Sequence, residues 1–577
     1  MDEKDKLVSS SRLFFVFSVI VLILITIVCR LYYISAVHGD KLKLMAEKQW
    51  VDKTMIKPTR GEILDRNYNQ LATNEPSSRI DLDLRTLKQS LKDKNIGIDT
   101  LENQLSSILE MDKSNIDKIM NSNDEYSALK RGVSSEQAKK IQNLGINGIV
   151  ISSDTTRYYV NGNFLSQVLG HTNSDGQGLS GVELMYNKLL TGTPGVSISE
   201  VDNKREDLPY NQATYTKPID GKDLVLTIDA KLQLFAEKAA DAALKTNKAK
   251  SVTITIMNPK NGEILAMVNK PSNNLNSPNN SEDLWKNNAV QWAFEPGSIF
   301  KAITSEVALE TSKSYENQQF LCNASVSVDG NLIYNWDKAD HGMMSLQDIL
   351  KNSNNVGFAK LGMQLGKENL YSHINKFGFG TKTGIDLPGE SSGIVKNVKN
   401  VKNLDLANTA FGQGVAMTQV QYMSVFNAIA NGGKWFTPHI MKETGNFNKG
   451  NEFIGNSKFK DTKAKKIMDK DVTTTLRGYL EKVVSDGVGK NAYVKGCNIA
   501  GKTGTAQKAY ADGAGYEPGK YVSSFAGMAP YQDPKITLIV SIDEPDASNY
   551  YSAQTAAPVA KELFSEIYNY TNYIYNK

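Results

Sequence analysis

The first residues in this chain whose types and spacing suit covalent chemistry are Ser298 and Lys301, in Glu295-Pro296-Gly297-Ser298-Ile299-Phe300-Lys301. Pro296 and Gly297 make a turn, and the run AITSEVALE that follows reads as helix. In a helix starting at or near Ser298, positions i and i+3 share a face, so the spacing predicts Lys301 beside the Ser298 hydroxyl. A serine hydroxyl is a poor nucleophile until a neighbouring base takes its proton. Lysine serves as that base only when burial or a second cation depresses its pKa. Backbone N–H groups at the start of the same helix can stabilise an oxyanion. Alone, the pattern recurs by chance, and a capping serine beside a solvated lysine is the simpler account.

Two later elements carry complementary groups. Lys351-Asn352-Ser353-Asn354-Asn355 follows the helix-like MSLQDIL and reads as a turn between helices. From it Ser353 can pass a proton and Asn355 can donate to a substrate amide carbonyl; an ordinary polar turn explains the same residues in isolation. Ala500-Gly501-Lys502-Thr503-Gly504-Thr505-Ala506 lies upstream of the strand-like YVSSFAG. Small residues on a strand let a substrate backbone approach closely, and Lys502 offers a positive charge to a terminal carboxylate. This stretch has a rival reading, because Gly496 to Thr503, GCNIAGKT, satisfies the literal phosphate-loop pattern. A phosphate loop follows a buried strand and opens a helix, whereas NAYVK before this segment is weakly apolar and AQKAYADGAGYEPG after it is turn-rich. On this stretch alone both readings, and a plain glycine-rich surface turn, stay open.

The elements that must position these groups belong to a long chain. Its 577 residues exceed one ordinary core and predict two or more domains. Hydrophobic residues make up 40% and charged residues 22%, which places the chain among folded proteins. The 66 basic and 62 acidic residues nearly cancel, leaving no charge-based reason to invoke nucleic acid. Cys29, Cys322 and Cys497 are too scattered for a metal cluster or a disulfide framework, although a 322–497 bridge stays open. With five histidines and no HExxH pattern, neither a catalytic metal nor a cofactor is expected.

Residues 1–12 read as a short polar tail, and Leu13 to Cys29, LFFVFSVIVLILITIVC, as an apolar helix of about 25 Å, slightly short of a ~30 Å hydrocarbon core. Arg30 can snorkel and Tyr32 and Tyr33 can sit at headgroup level, extending the span to residue 34. The run exceeds a usual signal core and lacks a small-x-small cleavage site, which favours an anchor over a cleaved signal. Lys4, Lys6 and Arg12 before it are matched by Arg30, Lys41, Lys43 and Lys48 after it, so charge does not fix its orientation.

Residues 40–225 read as a mixed, non-catalytic module with a charged helical insertion near 80–155 between extended flanks. A boundary follows at Leu224–Ile228, a strand after a glycine turn, with Asp229 capping the next helix. VTITIM and EILAMV, separated by NPKNG, form a hairpin, and KPSNNLNSPNNSEDLW is a polar loop. Near the C-terminus YVSSFAGMAP and ITLIVSIDEP are strand-like and APVAKELFSEIYNYTNYI is amphipathic helix. Strands bracketing helices predict an α+β domain over 226–577, with an antiparallel sheet assembled from both ends and a helical subdomain inserted between.

In order, Ser298-x-x-Lys301, Ser353-x-Asn355 and Lys502-Thr503-Gly504 resemble the penicillin-recognising serine transferases, and a phosphate loop would explain only the third. Thr59-Arg60-Gly61-Glu62-Ile63-Leu64-Asp65-Arg66, Gly178-Leu179-Ser180-Gly181-Val182-Glu183 ahead of Tyr186, LVLTID and Phe411-Gly412-Gln413-Gly414 narrow the resemblance to the class B penicillin-binding proteins. It covers residues 13–570. The resemblance implies a single-pass membrane protein with an elongated, dimerisation-like pedestal and an extracytoplasmic D,D-transpeptidase domain. Ser298 would attack the penultimate carbonyl of a stem peptide ending in D-Ala-D-Ala, with Lys301 activating it. Ser353 and Lys502 would assist protonation of the leaving amine, Asn355 would hold the donor, and Thr503 and Thr505, flanking Gly504, its carboxylate. Backbone N–H groups of Ser298 and Thr505 would form the oxyanion hole, and β-lactams would trap Ser298. Implied partners are a membrane glycosyltransferase and division, elongation or sporulation proteins. Tyr550-Tyr551-Ser552-Ala553 departs from the paired glycine that relatives often carry there, which bears on substrate fit. A D,D-carboxypeptidase, a β-lactamase and a non-catalytic β-lactam sensor or scaffold remain the alternatives.

Overall fold

A computed structural model describes the chain except for residues 1–2, 201–213, 280, 461–462, 511–514 and 571–577. The apolar run lies within one helix, Glu3–Trp50, of which Ser11–Lys43 is long and apolar enough to cross a membrane. Phe14, Phe15, Leu22 and Val28 are exposed on it, as a helix solvated by lipid requires. Residues 1–59 and 192–221 form one compact unit, in which Val51–Ile56, Gly195–Glu200 and Thr214–Thr216 pair antiparallel.

Residues 60–191 and 222–577 form the second unit. Its seven-stranded mixed sheet runs Phe453–Lys458, Met441–Phe447, Asp223–Leu226, Ile63–Leu64, Gln70–Asp83 and Tyr126–Val133, with Ile149–Tyr159 also paired to Gln70–Asp83. The stretch 80–155 holds helices Leu84–Asp93, Ile98–Leu109, Lys113–Met120 and Ser135–Gln142, but the strands Tyr126–Val133 and Ile149–Tyr159 flank the last of them. With Gln70–Asp83, those strands are polar on one face and bury only Ile80, Leu82, Leu129 and Val133 against Leu87, Leu101, Leu105 and Ile116. Their two-residue period is therefore sparse in sequence and is masked by the stronger helical spacing around it.

The family-like residues of 60–183 meet in this unit. Glu183, fully buried, takes Arg60 on one carboxylate oxygen at 2.5 Å and Arg157 on the other at 2.7 Å. Asp65 accepts the N–H groups of Asn67 and Asn69 at 2.8 Å and closes the turn into Gln70–Asp83. Tyr186 donates at 2.5 Å to Asp386, which also accepts from the backbone of Ile440 and Met441. The motifs thus act as buried polar ties between distant segments.

A five-stranded antiparallel sheet, ordered Ile264–Lys270, Ser251–Met257, Ile536–Asp543, Tyr516–Ala529, Ala500–Ala509, is the core of the C-terminal half. The predicted hairpin is present, with Gly262 at φ 81° in its turn. Every residue of Ile536–Asp543 is buried, which is why Leu538, Ile539 and Val540 run together without polar residues between them. Helices Ala230–Thr246, N-capped by Asp229, and Ala556–Tyr570 pack Leu232, Ala236, Leu563 and Phe564 with Val252, Ile254 and Val540 of the sheet. Phe300, Val420 and Phe426, from helical segments between the two strand groups, pack with Met257, Ile264 and Ile539. Among the described residues all three cysteines are free, so the open 322–497 bridge is absent.

Candidate active site

Ser298 sits in the short 3-10 turn Gly297–Phe300, which passes directly into the helix Lys301–Thr311. Gly297 has φ 55°, a conformation glycine adopts without penalty. The turn is fixed from two sides. Gly297 N–H donates to the Gly412 carbonyl at 3.0 Å, and the buried Tyr422 hydroxyl donates to the Ile299 carbonyl at 2.9 Å. On a third side the strand Ala500–Ala509 runs so close that a Cβ on Gly504 would stand 2.8 Å from Ile299 N and Pro296 O. Glycine at 504 is what allows the strand to reach the nucleophile turn.

The structure brings the expected residues together around one cleft, whose lining includes Ser298, Ser353, Asn355, Thr503 and Thr505. Ser353 lies in the turn between helices Leu346–Lys351 and Asn355–Leu365, at φ 55°. A left-handed serine is a strained choice, and it aims both the Ser353 carbonyl and hydroxyl at the two lysines. Lys301 Nζ donates to the Ser353 carbonyl and to Asn355 Oδ1, each at 2.7 Å, and lies 3.3 Å from Ser353 Oγ. Lys502 Nζ donates to Ser353 Oγ and to the Thr503 carbonyl, each at 2.9 Å. Ser353 Oγ therefore bridges the two lysines.

Among the described residues no hydrogen bond joins Lys301 Nζ to Ser298 Oγ, because the short bonds of Lys301 go to the Ser353–Asn355 turn. Such contacts commonly tighten only when substrate is bound. Asn355 is likewise engaged, accepting from Lys301 and donating to the Tyr334 carbonyl at 3.0 Å.

Both lysines are fully buried. Burial, and then the positive charge of Lys502, hold Lys301 well below the ordinary lysine pKa; burial alone lowers Lys502 to about 7. Both effects disfavour the charged ammonium of Lys301 and so favour its action as a base. Its two short bonds to the Ser353 carbonyl and Asn355 Oδ1 fix the position of Nζ.

The phosphate-loop reading fails on backbone grounds. Gly501, Lys502 and Thr503 are internal to an edge strand paired with Tyr516–Ala529, and no helix starts there. Further residues complete the cleft. Trp336, Tyr521, Tyr550 and Tyr551 line it, with the Tyr521 and Tyr550 rings stacked at 3.8 Å. Trp336 and Tyr521 come from separate elements, so no local pattern announces them, whereas Tyr550 and Tyr551 lie in the stretch that departs from the paired glycine. Ser552, in the stretch that departs from the paired glycine, donates its N–H to Thr505 Oγ1 at 3.0 Å and accepts from it at 3.1 Å. Glu295, three residues before Ser298, accepts from Gly414 N–H at 2.8 Å and from the Tyr516 hydroxyl at 3.1 Å. No group of metal-ligating side chains occurs among the described residues.

Comparison with known proteins agrees with this arrangement. Residues 252–565 match the penicillin binding protein transpeptidase domain, and residues 55–226 the penicillin-binding protein dimerisation domain. Stage V sporulation protein D of Bacillus subtilis is 35% identical over 567 residues, covering 96% of this chain and 85% of that protein. Peptidoglycan D,D-transpeptidase FtsI of Buchnera aphidicola is 31% identical, covering 98% and 96%. The crystal structure of penicillin binding protein 2X from Streptococcus thermophilus superposes with a TM-score of 0.70 at 26% identity, over 90% of this chain and 80% of that one. Penicillin binding protein 3 of Mycobacterium tuberculosis, solved in complex with aztreonam, gives 0.65 at 25% identity, over 89% of this chain and 96% of that one. With both domains matched in order, this chain belongs to the class B penicillin-binding proteins, the family of peptidoglycan D,D-transpeptidases.

Proposed function

We propose that the chain cross-links peptidoglycan stem peptides through an acyl-enzyme on Ser298. The observation that carries this reading is the fully buried Lys301, its pKa depressed and its two short hydrogen bonds anchored on Ser353 and Asn355. Lys301 takes the Ser298 proton as Oγ attacks the penultimate carbonyl carbon of a D-Ala-D-Ala peptide. The oxyanion is stabilised by the backbone N–H groups of Ser298 and Thr505. As the C–N bond breaks, the leaving D-alanine amine takes a proton through Ser353, which bridges Lys301 and Lys502. Thr503 and Thr505 hold the donor carboxylate and Asn355 its amide. An amine from a neighbouring stem peptide then attacks the ester carbonyl, forms the new amide, and returns the proton to Ser298 by the same route.

In this reading residues 226–577 are the transpeptidase domain, with the helices between its two strand groups as an inserted subdomain, and 40–225 are the pedestal. Residues 13–34 anchor the chain in one pass with the catalytic domain outside. The implied partners are a membrane glycosyltransferase and the division, elongation or sporulation machinery. β-Lactams, one of which occupies the Mycobacterium relative, acylate Ser298.

The test is covalent labelling of the full chain by a fluorescent penicillin, with Ser298→Ala alongside. Labelling that depends on Ser298 and decays slowly is expected; no such labelling overturns the reading. A donor thioester with and without an acceptor amine then separates transfer from hydrolysis. Product formed only with water assigns a carboxypeptidase or β-lactamase, and acylation without turnover of the donor assigns a sensor.

A further inference from the structure

A second cavity, of about 180 Å³, lies apart from the Ser298 cleft and shares no lining residue with it. Lys376, Lys382 and Lys465 line it, with the half-buried Trp435. Lys465 Nζ lies 4.8 Å from the centroid of the Trp435 ring. The strand pair that supplies this wall sets Lys434 directly across from Lys466 and Trp435 across from Lys465. Like charges facing each other across a strand pair are destabilising. Lys463 adds a further positive charge close by in sequence.

Several carboxylates beside the cavity already have partners. The carboxylates nearby are committed: Glu310 to Lys376 at 2.5 Å, Asp469 to Lys466 at 2.7 Å, and Glu390 to the N–H groups of Thr383 and Gly384. Among the described residues Lys382, Lys434, Lys463 and Lys465 have no ion-pair partner. Some exposed lysines elsewhere are paired, as Lys113 is with Asp99 and Lys140 with Glu136. In a chain whose basic and acidic totals nearly cancel, this is a local excess of cation around a concave site.

From this geometry we propose that the cavity lined by Lys376, Lys382, Lys465 and Trp435 binds a phosphate or phosphodiester group. Lysines act as compact point charges and suit the phosphate oxygens, whereas a carboxylate site favours the planar fork of arginine, which the lining lacks. The volume falls below the roughly 300 Å³ at which drug-sized pockets begin, so it takes one such group. The surrounding lysines extend the attraction to neighbouring phosphates. The source is either a free or polymeric phosphate or the headgroup of an anionic lipid.

The experiment uses the full chain in phosphatidylcholine nanodiscs and reads the emission of Trp435, assigned by Trp435→Phe. Inorganic phosphate and a short polyphosphate are titrated in one arm; in the other, phosphatidylglycerol is added to the nanodiscs. A saturable change is expected, weakened about tenfold or more in Lys382→Gln/Lys465→Gln, or 1.4 kcal/mol per tenfold. Response to the soluble anions assigns a free or polymeric source, and response confined to phosphatidylglycerol assigns a lipid headgroup. No saturable change, a change equal in the double variant, or one reproduced by sodium chloride at the same ionic strength overturns the proposal. Penicillin labelling of Ser298 in the double variant stays at the wild-type level, so a folding defect, or failure of the transpeptidase reading, is seen separately.

Discussion

Lys301 and Lys502 share one buried pocket, and the second charge is part of what depresses the pKa of the first. Lys301→Gln is expected to slow penicillin acylation about 100- to 10,000-fold, the usual contribution of a general base. Acylation falls as pH drops through the depressed pKa of Lys301. Because Lys502 contributes to that depression, Lys502→Gln moves the acid limb of the rate profile to higher pH, measurable by stopped-flow acylation. Stability follows the opposite interest. Between about 7, where folded Lys502 loses its proton, and its ordinary 10.5, the unfolded chain binds the proton that the folded chain has released. Unfolding free energy therefore rises with pH across that window. Lys502→Met removes the penalty and should raise Tm by about 2 °C while acylation slows. Ser552 offers a third test at this scale. Ser552→Gly frees the Thr505 hydroxyl from its side-chain acceptor, and concentration-dependent acylation should show about twofold to fivefold tighter initial penicillin binding, worth roughly 0.5–1 kcal/mol.

Elements transmit position to these residues through buried polar ties. Glu183, fully buried between Arg60 and Arg157, closes two of the family-like motifs on each other. Arg60→Ala leaves that carboxylate with one guanidinium and should cost about 3–5 kcal/mol, read by chemical denaturation. Glu295 ties the turn before Ser298 to the Gly414 loop and to Tyr516. Glu295→Ala should lower the acylation rate constant more than initial binding, and Glu295→Gln should restore part of it, since the amide oxygen can still accept one bond. The motif residues were legible because each motif is short and its geometry local: a turn into a helix, a turn between helices, a strand of small residues. The ties were not. Tyr422 on Ile299 and Asn355 on Tyr334 join segments whose separation no periodicity encodes. The strands Tyr126–Val133 and Ile149–Tyr159 were missed for a related reason, since each buries only a few apolar side chains among polar ones.

At the scale of the whole molecule, the order of anchor, mixed module and bracketed sheet was readable from composition and patterning, and the two domain matches follow that order. Less readable was that Met441–Phe447 leaves the C-terminal half to pair with Asp223–Leu226, whose other neighbour is Ile63–Leu64. The five-stranded sheet carries one further consequence. Ser251–Met257 finds its partner in Ile536–Asp543, and the Thr537 hydroxyl donates to the Met257 carbonyl across 280 residues of chain. Contacts of such sequence separation close late, because the intervening loop entropy must be met first. A nascent or translocating chain consequently holds an unpaired, β-branched strand edge until almost all of it has emerged, a template for misassociation. Chains ended before residue 536 should fail to label with penicillin although Ser298, Ser353 and Lys502 are all present, and the completed chain should depend on being shielded during that interval.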